Sequence, residues 1–180
     1  MEGTGDRHPG ERDHPGPAPV VDPDDAAAAE DVALRILNAA SQSAAGLQRR
    51  LVRRGFSDEA AASATAAMAS RGYVDDAAFA GSIAARRRRT GHGRLAVIAE
   101  MRQRAIADAV IADVAAQSEP DDERAAALDL ALRLAHGRRD PGTREGQQRL
   151  GAALQRRGFE SSTVSWVLRR LANTEDPDDG

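Results

Sequence analysis

Leu47-Gln48-Arg49-Arg50-Leu51-Val52-Arg53-Arg54-Gly55-Phe56 is the stretch that decides the fold, because its pattern occurs three times in the chain. Val97, Met101 and Ile106 repeat the spacing of Leu47, Leu51 and Phe56, and so do Leu150, Leu154 and Phe159. The offsets are four and then five residues in every copy. Arginines stand just before the third apolar position each time, as Arg53 and Arg54, Arg102 and Arg104, and Arg156 and Arg157. Gly55 and Gly158 immediately precede the aromatic ring in two copies, and Ala105 holds that place in the other. Self-similarity of this kind is the sequence signature of a repeat architecture.

The physics of the unit can be read residue by residue. Residues four apart share one helix face, so Leu47 and Leu51 and their counterparts form an inner stripe. Glycine after the stripe suits a left-handed C-terminal cap, and the arginines before it favour the negative end of the helix dipole. The next apolar residue then folds back on the helix it follows. Short polar starts come after it: Ser57-Asp58, Ala107-Asp108 and Glu160-Ser161-Ser162. Such segments begin new helices. Ile111 and Val114 match Val164 and Val167 in the following helix, where the first copy has Ala61 and Ala64 and so packs either closely or weakly. A further helix precedes each pair, around residues 32–39, 76–89 and 121–136. The fold class is therefore all-α: three tandem three-helix repeats, forming an elongated array in which each unit meets mainly its neighbours.

The expected organisation is a Pro/Gly-rich acidic tail over residues 1–25, repeats over 26–74, 75–119 and 120–173, and a second acidic tail over 174–180. The tails cannot bury enough apolar surface to offset the entropy of ordering and are expected to be disordered. Abundant alanine and sparse β-branched residues agree with helices rather than sheets. The net charge of −3 conceals an uneven distribution. Residues 1–30 carry −6 and residues 173–180 carry −4, leaving +7 on residues 31–172. All 25 basic residues are arginine, whose planar fork matches phosphate and carboxylate.

Several function classes are excluded. With no cysteine there is no disulfide, thiolate zinc site or cysteine nucleophile. His8, His14, His92 and His136 show no metal-binding spacing. Without lysine there is no phosphate-cradling loop ending in Lys-Ser or Lys-Thr. The acidic pairs Asp75-Asp76, Asp121-Asp122 and Asp178-Asp179 read as helix starts or tail. No catalytic constellation, cofactor or metal is expected. No apolar run approaches the ~20 residues of a membrane span, and the acidic amino terminus is unlike a signal peptide. A cytoplasmic monomer is the expectation.

The middle of the chain runs Gly72-Tyr73-Val74-Asp75-Asp76, Phe79-Ala80, Arg86 to Arg89, Gly91-His92-Gly93-Arg94-Leu95, and a helix closing at Arg104-Ala105-Ile106. This order resembles the second unit of the RecX family. Ser43 to Leu51 with Arg54-Gly55-Phe56 resembles that family's first unit, and Arg156-Arg157-Gly158-Phe159 its third. The resemblance covers about residues 31–172. Two departures stand out: Ala105 replaces a usual glycine, which predicts an altered turn, and Gly46 replaces a usual acid, which predicts a weaker second helix. The resemblance implies a regulator, mainly an inhibitor, of the RecA recombinase. Such a protein would bind the RecA–DNA filament, suppress its ATPase and strand exchange, and contact single- and double-stranded DNA.

The candidate partner- or DNA-binding residues are Arg86, Arg87, Arg88, Arg89, Arg94, Arg102, Arg104 and Tyr73. Four consecutive arginines point around the whole circumference of a helix, which predicts an end projecting into solvent with one of them hidden along its stem. Residues 86–104 carry seven arginines against Glu100, a local +6 suited to phosphates or an acidic filament surface. Replacing Arg86, Arg87 and Arg88 by alanine is expected to weaken binding without unfolding the chain. Tyr73 is read first as a turn residue packed between repeats and second as a stacking or anchoring residue. Phe56, Phe79 and Phe159 are read as core, Trp166 as a contact at a repeat edge, and His92 as exposed between two glycines. The alternative reading is a helix-turn-helix-like DNA-binding protein. Three similar units argue against it, because a repressor needs one recognition helix per protomer and a dimer interface.

Overall fold

The computed structural model describes residues 22–135 and 141–173. Nine helices and no strand occur among the described residues: α1 Ala26–Ala39, α2 Ala44–Val52, α3 Asp58–Ser70, α4 Asp76–Arg89, α5 Arg94–Gln103, α6 Asp108–Ala116, α7 Pro120–Leu134, α8 Arg144–Arg156 and α9 Ser161–Ala172. They form three successive three-helix units, and the extensive helix packing lies inside the units. The first core gathers Ile36, Leu47, Leu51, Phe56 and Met68. The second gathers Ile83, Val97, Met101, Ile106 and Ile111. The third gathers Leu130, Leu150, Leu154, Phe159, Val164 and Val167. The three cores are separate.

The repeated stretch builds the same turn each time. The amide of Phe56 donates to the Leu51 carbonyl, that of Ile106 to Met101 and that of Phe159 to Leu154. Gly55 and Gly158 have positive φ, at 102° and 81°. Ala105 adopts φ 59° and keeps the turn that its side chain was expected to alter. The stripe residue is thus held against its own helix in all three units, as a left-handed cap requires. Ala61 and Ala64 are fully buried. Their small side chains let α1 and α3 approach closely, so the first unit packs tightly rather than weakly.

Helix starts are capped as the sequence suggests. Ser43, Ser57, Asp75 and Thr143 accept from amides three residues on. Asp25 does the same for α1, and the Pro23 carbonyl accepts from the Ser57 amide at 2.9 Å. Asp22, Asp24, Asp25 and Glu30, half of the acids counted with the amino-terminal tail, therefore belong to the ordered start of the first unit. Residues 1–21 and 174–180, expected as disordered tails, and His136, expected at the end of a helix, lie outside the described residues.

The units join end to end through their second helices. At the first joint Ser43, which caps α2, donates its hydroxyl to the carbonyl of Arg104 at 2.6 Å in the turn after α5. The Ala44 amide meanwhile donates to Asp76 at 2.8 Å. At the second joint the amides of Gly93 and Leu95, at the start of α5, donate to the carbonyls of Arg157 and Gly158 at 2.9 and 3.0 Å, in the turn after α8. Each joint sets the positive end of one helix on the negative end of another, a favourable dipole arrangement. Glycine is required at the second joint: a Cβ on Gly93 would lie 2.5 Å from the Gly158 oxygen, and one on Gly158 2.4 Å from the Ala96 nitrogen. Gly46 has a similar task at the first joint, where a Cβ would meet Ser43 Oγ at 2.9 Å and the Arg104 oxygen at 3.4 Å.

Candidate functional site

The arginine run occupies the last turn of α4, as the sequence predicts, but it is not uniformly free. Glu100 projects from α5 and is only 5% exposed. Its carboxylate accepts from Arg86 Nη2 and Arg87 Nε. Arg104 Nη2 stands 3.7 Å from the same carboxylate. One buried carboxylate thus faces three guanidinium groups. Burial alone would raise its pKa, but the hydrogen bonds and charges of Arg87 and Arg86 outweigh burial and hold it below the ordinary value. This clamp anchors two of the four arginines, where the helix-end argument allowed for one. Arg88 donates to the Ser118 hydroxyl, and Arg89 is exposed.

The remaining candidates are spread over two joints. Arg94 donates its amide to Glu123 at 3.1 Å and its guanidinium to Glu160 at 2.9 Å, tying the second unit to the third. Arg157 reaches back from the third unit to the Thr90 carbonyl at 3.0 Å. Arg102 lies 3.5 Å from Asp108 across the turn after α5. Tyr73 is 57% exposed, so it is not packed between repeats. Nor is Phe79 fully core: it is half-buried against the second cluster, whereas Phe56 and Phe159 are buried. Trp166 is half-buried at the edge of the third core, with the Arg124 guanidinium 5.8 Å from its ring centre. His92 is half-buried rather than fully exposed. Its ring nitrogen Nδ1 is 3.0 Å from Thr90 Oγ1. Burial, then Arg87 and Arg157, lower its pKa below 6.5.

Between the second unit and the start of the third lies a cavity of about 120 Å³. Val97, Ile98, Met101, Ile111 and Val114 form its apolar wall, and Arg88 and Arg94 also line it. It is smaller than the usual small-molecule cleft of about 300–1,000 Å³. Among the described residues no acidic or histidine cluster could hold a metal ion, and no helix is long and apolar enough to cross a membrane. Sequence reasoning did not identify the clamp role of Glu100. The signal was there: a lone acid among seven arginines, one residue before the buried Met101.

Comparison with known proteins bears directly on this three-unit arrangement. Residues 75–114 match the family model of the RecX second three-helix domain, and residues 121–168 that of the third. A protein of Mycolicibacterium smegmatis named Regulatory protein RecX is 31% identical over 154 residues, covering 82% of each chain. The chain belongs to the RecX family. A second relative of the same name, from Stenotrophomonas maltophilia, is 34% identical over 147 residues, covering 82% of this chain and 86% of the relative. The crystal structure of RecX from Lactobacillus salivarius superposes with a TM-score of 0.74 at 16% identity, covering 82% of this chain and 96% of that one. Another crystal structure of regulatory protein RecX gives 0.68 at 23% identity, covering 79% and 72%. At these identities the two likenesses show a shared fold.

Proposed function

We propose that this chain is a non-catalytic regulator, mainly an inhibitor, of the RecA recombinase. In this reading it binds the RecA–DNA filament and suppresses ATP hydrolysis and strand exchange. The observation that carries the reading is membership of the RecX family together with an intact series of three units joined end to end. Such a series presents a long surface to a long partner, which suits a filament better than a small ligand. The second unit supplies the contacts: Arg88, Arg89 and Tyr73 reach solvent, while Arg86, Arg87, Arg94, Arg102 and Arg104 keep part of their donors for phosphates or carboxylates. DNA contributes sequence-independent affinity through these groups, so binding weakens as salt rises.

The test is RecA-driven ATP hydrolysis on single-stranded DNA with this protein added below one-to-one. Inhibition at such ratios supports action on the filament, and no effect at excess with a cognate recombinase overturns the reading. The residue-level test needs a choice the sequence did not foresee. Alanine at Arg86 and Arg87 would strand the buried carboxylate of Glu100 and destabilise the second unit. Arg88→Ala with Arg89→Ala is the cleaner variant. It is expected to weaken filament inhibition while leaving the melting curve unchanged, and unchanged inhibition would remove these two residues from the surface.

A further inference from the structure

Four arginines on α2 and its closing turn have no part in the surface just described. Arg49, Arg50, Arg53 and Arg54 are all exposed. Their spacing of one, four and five residues puts them on one side of the helix. Among the described residues none has a carboxylate within ion-pair distance. The contrast with the second unit is sharp, because Arg86, Arg87, Arg94, Arg102 and Arg104 each face a carboxylate there.

The repeat offers an internal control. Arg53 and Arg54 correspond to Gln103 and Arg104 and to Arg156 and Arg157, so cations at the closing turn belong to the unit's helix-end chemistry. Arg49 and Arg50 correspond instead to Ala99 and Glu100 and to Ala152 and Ala153. Glu100 and Ala153 are 5% and 7% exposed, while Arg50 at the same register is exposed. The unit folds without these two charges. Arg49 stands four residues before Arg53, the cap residue of α2, so two like charges face each other at the helix end. The last turn of α2 favours cations, but the same turn in the other two units carries alanine or glutamate at these positions, so the repeat architecture does not require both charges.

We infer that Arg49, Arg50, Arg53 and Arg54 form a second polyanion site on the first unit, built for the phosphodiester backbone of nucleic acid. Guanidinium groups suit it because each presents forked donors to phosphate oxygens and stays charged at every physiological pH. Phosphate contact without base reading needs no pocket, only unpaired cations along an exposed face. The first joint places the turn after α5 against the start of the same helix, through Ser43 and Gly46, and leaves its basic end free of that contact. The site does not rest on the recombinase reading.

The experiment measures binding of the full chain to fluorescent oligodeoxythymidylate and to a duplex over a range of salt. It compares the unaltered chain, the variant with all four arginines changed to alanine, and the variant with all four changed to lysine. The alanine variant is expected to lose about 3 from the slope of log affinity against log salt on single strands, since each phosphate contact contributes about 0.7. The lysine variant should retain the slope. Arg49→Ala with Arg50→Ala alone should lose about half as much, and it covers the case in which the fourfold variant folds poorly. Equal slopes for alanine and unaltered chains overturn the site. So does a loss of recombinase inhibition with DNA binding unchanged, which would assign the patch to an acidic protein surface.

Discussion

Ala105 keeps a backbone conformation that suits glycine, and it does so at the joint between the first two units. Its φ of 59° puts the Cβ close to the carbonyl, which costs a non-glycine residue about 1 kcal/mol. Ala105→Gly is therefore expected to stabilise the chain by about 1 kcal/mol in urea unfolding, with no change of structure. Glu100 presents the opposite case. Glu100→Gln removes the charge that holds Arg86 and Arg87 and should cost about 1–2 kcal/mol by the same measurement. The pH dependence has a definite sign. The folded carboxyl has a lowered pKa, so its stabilisation is complete above the ordinary value of 4.5 and is lost as the pH falls through the lowered one. The Gln variant should lack this acid-side loss. His92 also has a lowered pKa, with the same direction: its contribution is present above 6.5 and declines below. An NMR titration should place its midpoint under 6.5, and a midpoint above that would contradict the packing of Arg87 and Arg157 around it.

At the level of helices, legibility follows sequence distance. The repeated stripe, the closing turns and the capping residues all depend on neighbours within five positions, so offsets in the sequence reveal them. The joints depend on partners far apart: Ser43 meets Arg104 across 61 residues. Gly93 beside His92 reads as an ordinary turn until Gly158 is seen against it. The same distance hides the true disposition of charge. Seven arginines near one acid look like a free patch, yet that acid is buried among three of them, while the exposed group without ion pairs among the described residues sits on α2 and its closing turn. Gly93→Ala tests the second joint without altering backbone preference, because its φ of −80° is open to any residue. The added methyl must displace the Gly158 carbonyl and should cost about 2 kcal/mol as an overpacked contact. Hydrogen exchange should show faster opening at the start of α5 and the end of α8, with α1 to α3 unaffected.

For the molecule as a whole, three separate cores joined by few groups make cooperativity depend on the joints. Stability in such a chain approximates a sum of unit and interface terms. Weakening one interface should therefore divide unfolding into steps rather than lower a single transition. Gly93→Ala is expected to give an early loss of the third unit in urea, followed by the first two together. A single sharp transition in that variant would mean that other contacts, such as Arg157 with Thr90 and Arg94 with Glu160, suffice to couple the units.

At the centre of the second joint, main-chain amides meet main-chain carbonyls, with the side chains of Arg94 and Arg157 beside them. A linkage written in atoms that every residue shares is indifferent to most substitutions around it. Side chains on the outer faces can then change freely, adapting to a new partner or shedding an old one, while the pitch from unit to unit stays fixed. Only the places where two backbones touch are barred from variation, and in this chain two glycines, Gly93 and Gly158, act as the ruler that sets the distance between its working surfaces.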